Sequence, residues 1–114
     1  MSDCIFCKII ERKIPSKVVH EDAETFAFED LNPQAPVHVL VIPKRHVPTV
    51  NELAPGDDAL VGALYRVAAK IAADRGIAQG GYRIVANTNR DAGQTVFHLH
   101  LHLLGGRPMQ WPPG

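Results

Sequence analysis

Short segments in which apolar residues alternate or run together are separated by turn-forming residues along most of this chain. Alternation with a period of two is typical of a strand with one buried face, and a β-branched apolar run is typical of a central strand. The pattern predicts five strands, at 17–21, 25–29, 37–42, 82–86 and 96–104. Residues 87–93 are rich in turn formers, so we expect a loop there.

Two other segments have helical spacing. Residues 4–12 carry apolar pairs four positions apart and predict a short helix that ends before Pro15. From Leu60 onward, apolar residues recur at i, i+4, i+7, i+8 and i+11, which predicts a long helix closed by Gly76. Five strands with hairpin-like connections, one long helix and one short helix predict an α+β fold on a mostly antiparallel sheet, with 1–114 as one domain.

Composition and charge exclude several classes of function. Lys+Arg and Asp+Glu are both 12, so the formal net charge is +0 and there is no basic surface for a nucleic acid. The N-terminal residues do not have the pattern of a signal peptide, and no apolar run approaches the roughly 20 residues of a membrane span. We therefore expect a cytoplasmic protein that binds neither nucleic acid nor membrane.

Three of the six histidines fall in VFHLHLHLLGG, residues 96–106. In a strand, every second side chain points to the same face, so His98, His100 and His102 would share one face and the leucines between them the other. An exposed polar face would contain mainly Thr, Lys, Glu and Ser, so we interpret the histidines as a metal site or a catalytic site. A zinc site that uses all three histidines is one alternative at this point.

The polar loop NTNRDAGQT, residues 87–95, leads directly into these histidines. Gly93 permits an unusual backbone angle, successive backbone N–H groups can form an anion-binding concavity, and Asn87, Gln94 and Thr95 add polar side chains. Alone, the stretch is more typical of an ordinary loop. Next to three histidines, it predicts a phosphate site.

Two further features are candidates for binding. Asp30 ends the second predicted strand, where a carboxylate can accept hydrogen bonds from two sugar hydroxyls, although an Asp here, taken alone, is more typical of a residue that begins a turn. Cys4 and Cys7, the only cysteines, have a spacing that suggests metal or redox chemistry in a reducing compartment. Redox chemistry would need a βαβ context, which is not predicted, and zinc would need two more ligands, which the histidines can supply. Two buried thiols on a helix are the remaining alternative.

Taken together, these residues resemble the histidine triad (HIT) family. HLHLHLL, residues 98–104, matches the signature His-φ-His-φ-His-φ-φ. CIFCKII, AFEDLNPQAPVHVLVIPKRH, AGQTVFHLHLHLLGG and WPPG each resemble family segments, in the same order and over nearly the whole chain. The branch that the chain resembles most is the Hint-type purine nucleoside phosphoramidases.

The resemblance implies a homodimer whose two sheets join into one ten-stranded sheet. It implies a hydrolase that cleaves nucleoside 5′-phosphoramidates or related nucleotides, purines preferred, through a nucleotidyl-histidine intermediate. It implies no catalytic cofactor. A non-catalytic nucleotide-binding protein with the same fold is the alternative.

The resemblance also implies roles for individual residues. His100 would be the nucleophile, His102 would contact phosphate oxygens, His38 would support the triad and Thr95 would lie near the leaving group. The implied nucleotide-binding residues are Ile5, Phe6, Ile9, Phe28, Asp30, Leu31, Leu40, Asn87, Gly93, Gln94, Thr95, Val96, His100 and His102. The implied ligands of a structural zinc ion are Cys4, Cys7, His46 and His98.

Overall fold

The computed structural model describes residues 3–114. Its helices and strands, in chain order, are α1 (Ile5–Ile10), β1 (Val18–Glu21), β2 (Thr25–Glu29), β3 (Val37–Pro43), α2 (Asp58–Asp74), β4 (Tyr82–Val85), α3 (Asn89–Ala92) and β5 (Leu101–Gly105). The predicted α+β class is confirmed. No helix in the described part of the chain is both long and apolar enough to cross a membrane.

The five strands form one sheet in the order β1-β2-β3-β5-β4, and each neighbouring pair is antiparallel. The prediction of a mostly antiparallel sheet is therefore confirmed. β3 is central and almost entirely buried, as its apolar sequence predicts. In its register with β5, Leu40 lies opposite His102 and His38 lies opposite Leu104. This register puts His38 and His102 diagonally across two adjacent strands, on one face.

The two faces of the sheet have separate apolar cores. One core packs beneath α2 and contains Leu99, Leu101 and Leu103, as the alternation predicts. The other packs beneath α1 and consists of Phe6, Ile9, Phe26, Phe28, Leu40 and Ile42. The histidines that alternate with the leucines therefore lie on the α1 side of the sheet.

The prediction that the fifth strand covers 96–104 is wrong in its first half, because β5 begins at Leu101. The register places Val41 opposite Leu101, so its continuation would put Ile42 opposite His100 and then Pro43 opposite Leu99. Proline has no N–H to donate to that ladder. The Leu99 N–H instead donates to the Val47 carbonyl oxygen, at 2.6 Å. His98 and His100 therefore lie in the segment that precedes β5, outside the regular strand pairing.

The predicted loop at 87–93 contains one helical turn, α3, which is a second correction. Asn89 has a positive φ of 66°, and Gly93 closes the turn in the left-handed region at φ 83°. The Asn89 N–H donates to Gln94 Oε1 at 2.8 Å. A hydrogen bond from the backbone to a side chain five positions later therefore completes this turn.

Candidate functional site

Four thiol and imidazole side chains meet where α1 begins. Cys4 caps α1, and its Sγ accepts from the Cys7 N–H at 3.4 Å. Nδ1 of His98 lies 3.4 Å from Sγ of Cys4 and 3.6 Å from Sγ of Cys7. Nδ1 of His46 lies 3.4 Å from Sγ of Cys7 and 3.2 Å from Nδ1 of His98. The four side chains implied by the resemblance are thus brought together.

The dimensions of this cluster fit a tetrahedral metal site. With ligand distances of about 2.3 Å to sulfur and about 2.0 Å to nitrogen, the edges of such a tetrahedron are about 3.5 Å between sulfur and nitrogen and about 3.3 Å between nitrogens. His98 Nε2 donates to the Pro43 carbonyl oxygen at 2.8 Å, which leaves the Nδ1 lone pair facing the thiols. Burial lowers the pKa of His98 to about 4, so the ring is neutral, as a metal ligand must be.

His100 has a single tautomer fixed by the backbone. Its Nδ1 lies 2.7 Å from the His98 carbonyl oxygen, which can only accept, so Nδ1 carries the proton. Nε2 therefore has a free lone pair. The ring is buried against Phe6, with the two ring centroids 5.2 Å apart, and burial lowers the pKa of His100. A neutral imidazole with an accessible Nε2 lone pair is a competent nucleophile.

The tautomer of His102 is set through His38. The Gln34 N–H donates to Nδ1 of His38 at 3.0 Å, so the proton of neutral His38 is on Nε2. That Nε2 donates to Nδ1 of His102 at 2.9 Å, which places the proton of His102 on its own Nε2. Asp30 Oδ2 lies 3.4 Å from the same His38 nitrogen. His102 therefore presents an N–H donor where His100 presents a lone pair.

The three histidines of the motif have different partners. Among the described residues, His98 groups with the thiols, His102 groups with His38 and Asp30, and neither group includes His100. A zinc site built from all three histidines, which the residues alone had left open, is therefore not formed.

Acid should destabilise the protein through His102. Burial, reinforced by neighbouring His100 and His38, lowers the pKa of His102 from 6.5 to about 4. Between these values the unfolded chain binds more protons than the folded one, so the free energy of unfolding rises with pH and the full contribution is present above about pH 6.5. We expect urea unfolding between about pH 4.5 and about pH 7 to show a steeper pH dependence in the wild type than in His102→Asn. Equal slopes would contradict the assignment of a half-buried neutral ring at His102.

The loop before the histidines is held together by Gln94. Its buried side chain donates to the carbonyl oxygens of Pro48 and Val96, at 2.9 and 3.1 Å, and accepts from Asn89. Gln94 thus shapes the loop rather than pointing out of it. Thr95 is exposed, and within the described part of the chain neither its hydroxyl nor its N–H makes a hydrogen bond, so both are available to an anion.

The apolar residues implied for base binding are only partly gathered. Phe6, Ile9, Phe28 and Leu40 belong to the core beneath α1. Leu31, which is 87% exposed, lies outside that core. Ile5 borders a cleft of about 450 Å³, and its other lining residues are Asp3, Cys4, His46, Thr95, Val96 and Phe97. The cleft therefore extends from the thiol–imidazole cluster to the residues that precede His98.

Several groups that organise the site could not be identified from residue types. The Pro43 carbonyl, the His98 carbonyl and the Gln34 N–H each fix a histidine tautomer, and each is a backbone atom. Because nearly every residue has the same backbone groups, composition and motif spacing cannot identify them. Register and tertiary contacts bring them into place.

The chain is similar to known proteins along almost its whole length. Residues 11–109 match the family model described as the HIT domain. The purine nucleoside phosphoramidase of Escherichia coli K12 is 51% identical over 94% of this chain and 90% of its own. A HIT-like protein of Synechocystis, described as uncharacterized, is 55% identical over 98% of this chain and 97% of its own. The crystal structure of a HIT family hydrolase from Legionella pneumophila superposes with a TM-score of 0.97, at 49% identity, covering 98% of this chain and 100% of the other.

Proposed function

Because this chain belongs to the HIT family, we propose that it is a hydrolase that cleaves nucleoside 5′-phosphoramidates or related nucleotide substrates, with purines preferred. The proposal takes 1–114 as one HIT domain. The observation that carries it is the arrangement of tautomers: His100 offers a lone pair at Nε2, and the adjacent ring of His102 offers an Nε2–H donor. One group can attack phosphorus while the other receives the negative charge of its oxygens.

The reaction would proceed by two displacements. In the first, a bond forms from His100 Nε2 to the α-phosphorus as the phosphorus–nitrogen bond to the amine breaks, and the departing nitrogen takes up a proton from solvent. His100 then carries a positive charge, which its Nδ1–H shares with the His98 carbonyl oxygen at 2.7 Å. In the second displacement, water attacks phosphorus and loses a proton to solvent, the bond to Nε2 breaks, and the neutral imidazole is restored. The Nδ1 proton stays in place throughout.

The substrate would be oriented from both sides of His100. His102 and the Thr95 hydroxyl and N–H would hold phosphate oxygens, with Asn87, Gly93 and Val96 completing the cradle. Asp30 would accept hydrogen bonds from the ribose hydroxyls; it already accepts from the Asn32 N–H at 2.8 Å and is half-buried. The purine would lie against the apolar residues beneath α1. Thr95, which borders the cleft, would face the leaving group.

The thiol–imidazole cluster would hold a structural zinc ion. Thiolate sulfur and imidazole nitrogen are the ligands that zinc prefers, and the interatomic distances fit its tetrahedral geometry. When bound, such an ion supplies a cross-link rather than Lewis acidity, because four protein ligands fill its coordination shell. Cys4, Cys7 and His46 would thereby fix His98, whose carbonyl oxygen orients the nucleophile.

The active form would be a homodimer with a continuous ten-stranded sheet. β4 is an edge strand that pairs with β5 on one side, and all four of its residues are half-buried. An edge strand with its other side unpaired is suited to pair with a second copy. Sedimentation equilibrium should show twice the 12.5 kDa chain mass, and a mass equal to one chain would contradict the homodimer.

Turnover of four adenosine, guanosine, cytidine and uridine 5′-phosphoramidates tests the function directly. We expect kcat/KM for the two purines to exceed that for the pyrimidines by about tenfold or more, because the larger base buries more area against the apolar residues. Release of the nucleoside monophosphate measures each rate. Binding of purine nucleotides without turnover would contradict the hydrolase and favour the non-catalytic alternative, while equal rates would contradict only the purine preference.

A further inference from the structure

The C-terminal tail is fastened to the loop that follows β2. Arg107, two residues beyond the end of β5, donates from Nε and Nη2 to the Gln34 carbonyl oxygen, at 3.2 and 2.9 Å. Its Nη1 donates to the Pro108 carbonyl oxygen at 3.0 Å, which steadies the guanidinium. Two donors of one rigid guanidinium on a single oxygen restrict both the position and the direction of that carbonyl. The tail thus clamps one residue of the loop.

A second contact fastens the tail to the same loop. Gly106 has φ 91°, and a Cβ added there would lie 2.8 Å from Cβ of Pro36. The backbone of the tail therefore packs directly on the loop, at a distance that only glycine permits. Gly106 packs on Pro36, and Arg107 donates to Gln34. The tail therefore contacts the loop at two positions.

The clamped loop makes hydrogen bonds to both His38 and Asp30. The Gln34 N–H donates to Nδ1 of His38, and the Gln34 side-chain amide donates to the Asn32 carbonyl oxygen at 3.0 Å. The Asn32 N–H in turn donates to Asp30 Oδ1. A single loop therefore sets both the proton position on His38 and the orientation of Asp30.

We propose that Arg107 is a positioning residue for the His100 site, because it holds Gln34 so that the proton of His38, and through it the proton of His102, stays on Nε2. The inference rests on the proposed function for its catalytic consequence only. Without the clamp, the Gln34 N–H can turn away from His38. Either ring nitrogen of His38 could then carry the proton, and the proton of His102 would no longer be held on Nε2, where it would face the phosphate of the substrate.

If Arg107 only contributed to packing, its loss would have a different effect. Arg107 is exposed, and hydrogen bonds from exposed side chains contribute little to the free energy of unfolding. Its loss as a surface contact alone would lower the melting temperature slightly and leave the proton positions unchanged. The proton position is therefore the measurement that separates positioning from packing.

The experiment compares Arg107→Gln, Arg107→Lys and the wild type, with Arg66→Gln as the matched control on the exposed side of α2. Two-bond proton–nitrogen NMR spectra of the histidine rings report which nitrogen is protonated. In the wild type and the control, His38 and His102 should show protonated Nε2. In Arg107→Gln, both nitrogens of His38 should move toward the tautomer average, and kcat/KM should fall by about ten- to a hundredfold. Arg107→Lys should partly restore the His38 nitrogen signals and kcat/KM, because an ammonium can still donate to the Gln34 carbonyl oxygen.

The outcomes are separable. Wild-type nitrogen shifts of His38 and His102 in Arg107→Gln would overturn the proposal, whether or not the melting temperature falls. Wild-type protein that turns over no phosphoramidate would overturn the proposed function, yet the spectra would still decide the role of Arg107. Gly106→Ala, which forces the tail away from Pro36, should shift the same nitrogen signals in the same direction, and unchanged spectra there would also count against the clamp.

Discussion

His100→Ala should lower kcat for adenosine 5′-phosphoramidate by more than about 10⁴-fold, because the substitution removes the atom that bonds to phosphorus. The remaining groups can still bind the nucleotide. His102 keeps its donor, since its tautomer is set through His38 and not through His100. The affinity for adenosine monophosphate should therefore change much less than kcat. Steady-state rates and calorimetric binding on the same preparations measure the two quantities.

The control is His20→Ala, since His20 lies on β1 and pairs with Asp22 at 2.9 Å, outside the site. Its kcat should stay near that of the wild type. Rapid-quench mass spectrometry should find a nucleotidyl group on His100 of the wild type and none on the alanine variant. Activity of His100→Ala within tenfold of the wild type would exclude the mechanism. An adduct on another residue would reassign the nucleophile.

The sequence predicted the division of the histidine strand better than it predicted the strand itself. Alternation correctly separates the leucines, which face α2, from the histidines, which face α1. It failed at 96–100, because alternation describes the direction of side chains and says nothing about the partner strand. The missing N–H of Pro43 on that partner ends the ladder. A local pattern cannot contain this information, since it depends on register.

The candidate site shows the same limit at finer scale. The chemistry-bearing residue types were found from spacing and from family resemblance, and the structure brings Cys4, Cys7, His46 and His98 together. The tautomers depend on backbone groups at positions whose identity carries no signal. Gln34 illustrates this, since its backbone N–H, and not its side chain, orients His38.

His98 links the two halves of the site. Its ring nitrogen Nδ1 faces the thiols, and its carbonyl oxygen accepts the Nδ1 proton of His100. A change in the position of this residue therefore reaches the nucleophile through a single peptide group. The metal cluster is thus expected to act on catalysis by fixing geometry, and its loss should affect stability first.

If the cluster holds zinc, His46→Asn should lower the melting temperature by about 10 °C or more. Loss of a metal ligand lowers the free energy of unfolding by several kcal/mol, and each 1 kcal/mol corresponds to roughly 4 °C in a domain of this size. His46 is exposed and contributes little packing, so the substitution isolates ligation from core burial. Metal analysis of gently purified wild-type protein should find about one zinc ion per chain. Chelation of the wild type should lower its melting temperature toward that of the variant.

His20→Asn is the matched control, because it makes the same substitution at a histidine outside the cluster. It should shift the melting temperature by no more than about 2 °C, as surface substitutions do. After chelation, the difference between His46→Asn and the wild type should largely disappear, since both proteins then lack the cross-link. If the two asparagine variants melt together and the wild type contains almost no zinc, the four side chains form a hydrogen-bonded cluster instead. In that case Cys4 and Cys7 would stabilise α1 only through contacts such as the bond from the Cys7 N–H to Cys4 Sγ.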